Sequence, residues 1–230
     1  MIRFGWETFK KRPWLFIGVM FLIVAANIVL GQIVKVIGAE RGASLAGEII
    51  NIAGGALVGM GTLAFFLKAH DTPESASVND LWHPKSLWKY VGAIFLSGIV
   101  IAVVATPFFI VAIFFGIGAL LSQNVIGPLA GVAIVFGLAG IMGALLASSF
   151  FVFAPYAVVD RGSGPIVAIK SSFGITKGKR LKIVGFLCVI ALLNILGFVA
   201  LFVGILVTAP VSLLALTHLY RSLTGSGLSA

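Results

Sequence analysis

The chain has 230 residues, of which 60% are hydrophobic and 10% are charged, and its mean hydropathy is +1.16. A soluble domain is about half apolar and a quarter charged, so this composition excludes a water-soluble globular protein. The formal net charge of +9 would suit a nucleic-acid partner, but the positions of the charges favour another interpretation, given below.

A basic segment between Arg3 and Arg12 precedes an apolar run over residues 14–34. One interpretation is a secretory signal peptide that is cleaved after Ala26. The apolar part of a signal peptide has about 7–15 residues, whereas this run is long enough to cross a bilayer. We therefore predict a retained first span.

Six apolar runs approach or exceed the roughly 20 residues that a helix needs to cross a membrane. They cover residues 14–34, 49–67, 87–115, 128–156, 181–206 and 208–223. The sequence therefore predicts an all-α fold, a polytopic bundle of six transmembrane helices in three hairpins, within a single transmembrane domain over residues 1–230. We expect a tight connection around Val207, with Pro210 in the first turn of the last helix, where its missing N–H costs nothing.

The basic residues lie almost entirely on one side of this predicted topology. All but Lys35 and Arg41 of the 16 Lys and Arg residues fall in the amino-terminal segment, in the even-numbered connections or after the last run. The positive-inside rule then places both termini in the cytoplasm. The net charge is explained by topology, so we expect no nucleic-acid partner.

Three segments that lead into odd-numbered spans are predicted to be amphipathic surface helices. Their apolar stripes are Ile2, Trp6 and Phe9 in the first, Val78, Leu81 and Trp82 after a Thr72-Pro73-Glu74 start in the second, and Ile166, Ile169 and Phe173 after Pro165 in the third. Such helices lie in the headgroup plane, with Lys and Arg toward anionic lipid. The alternative is that these stripes pack on the protein's own spans.

The densest basic cluster is formed by Lys177, Lys179, Arg180 and Lys182. Together with Trp6, Lys10 and Lys11, it is a candidate surface for binding membrane phospholipids, anionic ones included, or a protein partner in the membrane or cytoplasm. The alternative is that these charges only set the topology.

Asn27 and Asn194 are the notable polar residues within the apolar runs. Each lies nine positions after a glycine near the start of its span and is followed by isoleucine, which suggests an internal repeat. They could line a shared intramembrane polar site at related depths. The alternative is hydrogen bonding between helices.

The sequence gives no support for an enzyme. It has no GxSxG elbow and no P-loop, and we expect no catalytic residues and no cofactor. His70, His83 and His218 are far apart in sequence, without companion ligands at metal-binding spacing, so we expect no metal site. Asp160 and His70 are expected to be solvated surface residues.

Several short stretches resemble bacterial six-span inner-membrane proteins of unknown function. They are residues 155–162 (PYAVVDRG), 168–173 (AIKSSF), 176–178 (TKG), 204–210 (GILVTAP) and 219–223 (LYRSL), with Trp6, Phe9, Lys10 and Pro13. The chain resembles the YciC-like proteins, the DUF975 group and the membrane domain attached to some glycerophosphodiester phosphodiesterases. The resemblance implies a multi-pass protein of the bacterial inner membrane. It supplies no catalytic residues, because the phosphodiesterase domain is absent.

These observations together predict a non-enzymatic inner-membrane protein that organises lipid or a partner protein at the cytoplasmic face. The alternative is a transporter or channel for a neutral or lipid-like solute, which would use Asn27 and Asn194.

Overall fold

A computed structural model describes residues 1–41, 45–82, 86–124, 126–200 and 204–225. In these ranges the chain forms nine α-helices and one 3₁₀ turn, with no strand. The helices are α1 (Ile2–Lys11), α2 (Pro13–Arg41), α3 (Leu45–Asp71), α4 (Leu87–Leu121), α5 (Pro128–Phe151), α6 (Ala154–Arg161), α7 (Pro165–Thr176), α8 (Arg180–Val199) and α9 (Ile205–Thr224); the 3₁₀ turn is Val78–Leu81. The predicted all-α class is confirmed.

Six of the helical segments in the described ranges are long and apolar enough to cross a membrane. They are α2, α3, α4, α5 continued by α6, α8 and α9. Consecutive spans pack against each other as the hairpins α2–α3, α4–α5 and α8–α9. The six-span bundle predicted from hydropathy is therefore confirmed. Each span is a helix, a structure that satisfies its own backbone polar groups inside a lipid bilayer.

The ends of the spans differ from the apolar runs. Most helices continue past the runs, because backbone hydrogen bonding does not stop where hydropathy falls. The fifth span is shorter than predicted and ends at Val199, while the sixth begins at Ile205. The predicted connection at Val207 is therefore wrong, since this residue lies within α9. Pro210 lies in the second turn of α9 rather than the first.

Two of the three predicted surface helices form. They are α1 and α7, the latter opening with Pro165 in its first turn. The segment after Pro73 is instead a turn followed by the short 3₁₀ turn. Asp80 closes that turn, because its carboxylate accepts hydrogen bonds from the backbone N–H and the hydroxyl of Ser77. The predicted α-helical stripe of Val78, Leu81 and Trp82 is therefore wrong.

Both buried clusters lie toward the end of the bundle that carries α1, α6, α7, the 72–82 connection and the last turns of α9, which we call the basic end. One buried cluster joins α1, α2, α3 and α9 around Phe16, Phe65 and Phe66. A second joins α3, α4, α6, α8 and α9 around Tyr156 and Tyr220. Helices α3 and α9 both contribute to the two clusters, and α9 is the more buried of the two.

Helix α1 packs on α9 rather than lying apart in the headgroup plane. Its buried residues are Gly5, Thr8 and Phe9. A Cβ atom at Gly5 would lie 2.5 Å from the backbone oxygen of Val211, so only glycine allows this close approach. Helix α1 therefore packs on the protein's own spans, which was the alternative to a helix lying in the headgroup plane. Its Trp6 side chain stays exposed.

Candidate functional site

The basic connection turns sharply between α7 and α8. Gly178 has a φ of +76°, a conformation that favours glycine, and the turn leaves Lys177 and Lys179 exposed. Lys182 follows in the first turn of α8 and is also exposed. The sequence motif TKGKR is therefore a tight turn that presents lysines from both of its sides.

Two of these lysines line a cavity of about 430 Å³ at the basic end, which we call the basic cavity. Lys179, Lys182 and Ser222 supply its polar groups. Its apolar lining comes from three elements and consists of Met1, Ile183, Phe186, Leu219 and Leu223. Cationic groups beside an apolar lining suit a molecule with an anionic head and a hydrocarbon part.

Arg180 points elsewhere. Its guanidinium carbon lies 4.0 Å from the ring centroid of Phe150 and 4.9 Å from that of Phe173. This cation–π arrangement ties the start of α8 to α5 and α7. The predicted cluster of four basic residues is thus divided in space. Lys179 and Lys182 face the cavity, Lys177 is exposed outside the cavity lining, and Arg180 is half-buried between rings.

The predicted residues of α1 form a separate exposed feature. Lys10 Nζ lies 5.5 Å from the centroid of the Trp6 ring, and that ring stacks on Phe9. Lys11 is also exposed. A tryptophan beside a lysine is typical of a membrane–water interface, where the indole ring and the ammonium group each find a suitable environment.

The two asparagines have different hydrogen-bond partners. Asn194 donates to Ser212 Oγ at 3.0 Å, and its Oδ1 accepts from Thr208 at 3.2 Å, so it joins α8 to α9. Asn27 is exposed and, among the residues that the structure describes, donates only to the carbonyl of Ile23 in its own helix. Asn194 thus makes the hydrogen bonds between helices that were the alternative to a shared polar site.

A charged network that the sequence analysis missed connects three spans at the basic end. Arg221 in α9 is 8% exposed. Its guanidinium donates to Asp71 at the end of α3, with a 3.0 Å contact from Nε, and to Asp160 in α6, at 2.9 Å from Nη1. Tyr220 also donates to Asp160, at 3.0 Å. A charge buried to this extent is tolerated only when it is paired.

The expectation of a solvated surface role is wrong for both Asp160 and His70, because their side chains are 16% and 9% exposed. His70 and His218 are far apart in sequence but adjacent in the fold. His70 Nε2 lies 3.0 Å from His218 Nδ1, and Phe4 stacks on His218. His83 lies outside the described residues. The described part of the chain contains no group of three or more side chains placed to hold a metal ion.

Two further contacts hold the 72–82 connection against the bundle. Arg12 donates to the carbonyl oxygens of Glu74 and Ala76. Lys68 Nζ lies 2.7 Å from Asp80 Oδ1. Burial disfavours the charged carboxylate, but the hydrogen bonds from Lys68 and Ser77 outweigh burial and hold the pKa of Asp80 below its usual value.

One sequence signal could have indicated the Arg221 network. Asp71, Asp160 and Arg221 each lie where an apolar segment reaches the basic side of the predicted topology. Groups of opposite charge at equal depth in neighbouring spans tend to pair. Which spans are neighbours depends on the tertiary fold, however, so the sequence alone did not assign these pairs.

No curated protein and no solved structure matches the chain. The model of one protein family matches residues 1–229, nearly the entire length. That family is described as a domain of unknown function. The six apolar helices in the described ranges indicate a multi-pass membrane protein. The chain belongs to the DUF7847 family of domains of unknown function.

Proposed function

We propose that the protein is a non-enzymatic membrane protein that organises anionic phospholipid, with the basic cavity as its lipid-binding site. The basic end faces the cytoplasm of a bacterial cell in this proposal, and the six spans lie in the inner membrane. The observation that carries the proposal is the cavity itself, in which Lys179 and Lys182 lie beside an apolar lining.

The chemistry of the lining suits one phospholipid. Ammonium groups donate hydrogen bonds to phosphate oxygens, and a lysine near an anionic membrane surface contributes about 1 kcal/mol. The Ser222 hydroxyl also lies in the lining and donates to the carbonyl oxygen of Leu219, so the two ammonium groups supply the donors to a phosphate. Phe186 and Leu223 offer apolar surface for the start of an acyl chain. A volume of about 430 Å³ suits the headgroup and the first part of one chain.

Positive charge around the cavity favours an anionic lipid over a zwitterionic one. All but two of the 16 Lys and Arg residues lie toward the basic side of the topology, and this excess draws anionic headgroups. The exposed Trp6 and Lys10 on α1 supply a second contact with the same leaflet. The resemblance to the YciC-like proteins and the DUF975 group stays a prediction from short motifs. The alternative of a transporter or channel also stays a prediction.

The test is native mass spectrometry of the protein released from mild detergent. The variant is Lys179→Ala/Lys182→Ala, and the matched control is Lys170→Ala/Lys177→Ala, which removes the same charge from exposed positions outside the cavity. We expect phospholipid adducts on the wild type and the control and at least a several-fold loss on the cavity variant, because two phosphate contacts disappear.

A topology reporter fused to the carboxyl terminus accompanies both variants, since these lysines also contribute to the positive-inside bias. Equal adducts on the cavity variant and on the control would contradict the proposal. A wild-type protein without bound phospholipid would do the same. A stoichiometric protein in place of lipid would instead favour a partner-binding role.

A further inference from the structure

Asn27 presents a polar side chain to the outside of the bundle deep within a span. It is exposed and belongs to the first membrane span, Pro13–Val36. At 1.5 Å per residue, Asn27 lies about 21 Å from Pro13 and about 14 Å from Val36 along the helix axis. A hydrocarbon core is about 30 Å thick, so this carboxamide lies near the middle of the membrane.

The carboxamide is only partly satisfied. Its Nδ2 donates one hydrogen bond, at 2.8 Å, to the carbonyl of Ile23. Within the described residues its Oδ1 accepts no hydrogen bond. Asn194 shows the contrast, since its amide nitrogen and its oxygen are both bonded to α9. Among the described residues, Asn27 therefore retains an acceptor and a second N–H without a partner, on a side chain that is exposed.

Lipid cannot satisfy these groups. Hydrocarbon chains offer no donor or acceptor, and an unpaired polar group there costs several kcal/mol. Polar residues in membrane spans face a protein interior or a water-filled cavity in most cases. The outward position of Asn27 thus indicates that another protein surface covers it.

Gly31 allows that surface to approach closely. It lies one turn after Asn27 on the same flank of α2, and a Cβ atom built on it would meet nothing within 4 Å. A glycine at a contact lets two membrane helices bring their backbones together. The flank that offers the unpaired carboxamide therefore also offers the space for a second helix.

We propose that this flank of α2 is the interface with a second copy of the chain, in which the two Asn27 side chains hydrogen-bond to each other. A carboxamide is both donor and acceptor, so it is complementary to an identical group across a twofold axis. Twofold interfaces use the same patch on both subunits. A single asparagine on each α2 therefore suffices to satisfy both copies.

The test measures self-association in phospholipid vesicles by energy transfer between copies that carry donor or acceptor fluorophores. The labels are attached at Lys177→Cys in a Cys188→Ser background, because Lys177 is exposed and lies outside the span. Dilution with lipid then gives the dissociation constant. The wild type is expected to show energy transfer that falls as lipid is added.

Asn27→Leu is expected to weaken association about tenfold or more, because both hydrogen bonds between the two carboxamides are lost. This variant should fold, since leucine suits a lipid-facing position. Asn27→Gln retains the carboxamide and should retain association. Gly31→Leu should weaken it by blocking the close approach.

Asn51→Leu is the matched control. Asn51 is also exposed, but it lies about 6 Å from the start of its span at Gly47, where headgroups and water can satisfy it. This variant should associate like the wild type. Wild-type protein without energy transfer at any dilution would overturn the proposal, as would equal association of Asn27→Leu and the wild type. Equal weakening by Asn27→Leu and Asn51→Leu would also overturn it.

Discussion

Helix α9 and the two helices of the α4–α5 hairpin all belong to membrane spans, but α9 is largely buried within the protein and the hairpin is largely exposed on its outside. In the most apolar 18-residue stretch of each helix, half of the residues of α9 are buried within the protein, against 6% of those of α4. The mean hydropathy has the reverse order, 1.2 for α9 and 2.7 for α4. The least apolar span is thus the centre of the bundle.

The polar groups explain this reversal. Ser212, Thr217 and Arg221 are buried in α9, and each needs a hydrogen-bond partner that lipid cannot supply. The outer faces of α4 and α5 carry exposed side chains such as Phe114, Ile134 and Leu138, which lipid solvates as well as protein would. In a membrane protein, therefore, polar rather than apolar residues decide which helix occupies the centre.

The largest expected effect is the loss of the guanidinium at the centre of the basic end. Arg221→Met should destabilise the protein by about 3 kcal/mol, because Asp160 would lose its closest charged partner while its side chain stays largely buried. Thermal unfolding in detergent measures the change. Arg3→Met is the control, since the Arg3 side chain is 90% exposed, and it should unfold like the wild type. Equal midpoints for the two variants would show that the network does not stabilise α9.

A smaller effect is expected where α1 meets α9. Gly5→Leu should cost about 1–3 kcal/mol through overpacking, because the new side chain would meet the backbone at Val211. The matched control on the hairpin is Gly98→Leu, where a Cβ atom meets nothing within 4 Å. Unfolding in detergent should be unchanged for that control. A similar loss for both variants would remove the distinction between the packed and the lipid-facing region.

The smallest expected effect is the pH-dependent contribution of Asp80. Its folded-state pKa lies below the ordinary value of 3.8, so ionised Asp80 stabilises the fold. That contribution is fully present above the ordinary value and is lost as the pH falls through the lower folded-state pKa. At neutral pH, Asp80→Asn should cost less than about 1 kcal/mol. The difference from the wild type should disappear under strongly acidic conditions, and a difference that grows with acidity would contradict this assignment.

Much of the architecture was predictable from hydropathy and turn chemistry. The six spans, their pairing into hairpins and the helices α1 and α7 all follow from local patterns, since a span needs only enough consecutive apolar residues. The prediction of the second surface helix was wrong because the local hydrogen bonds of Ser77 and Asp80 close a 3₁₀ turn. The connection near Val207 was wrong because that stretch is apolar throughout, so hydropathy cannot place a break in it.

The candidate site was only partly predictable. The basic connection was found from charge density, and the structure places Lys179 and Lys182 at one cavity. The role of Arg180 was not predictable, since its contacts with Phe150 and Phe173 join elements that are distant in sequence. The contact between His70 and His218 was not predictable either, because the two residues are 148 positions apart in the sequence.

The sequence by itself determined that this chain is a six-span helical membrane protein and where its positive charge accumulates. Those properties depend on composition and on short-range pattern, because the thickness of the bilayer sets the apolar length of a span and the positions of Lys and Arg set its orientation. Only the tertiary structure decided that α9 is central, that Arg221 joins Asp71 and Asp160, and that Asn194 is satisfied within the bundle while Asn27 faces outward. The physical reason is that partners for polar groups come from other spans, and an apolar sequence carries little information about which spans will be neighbours.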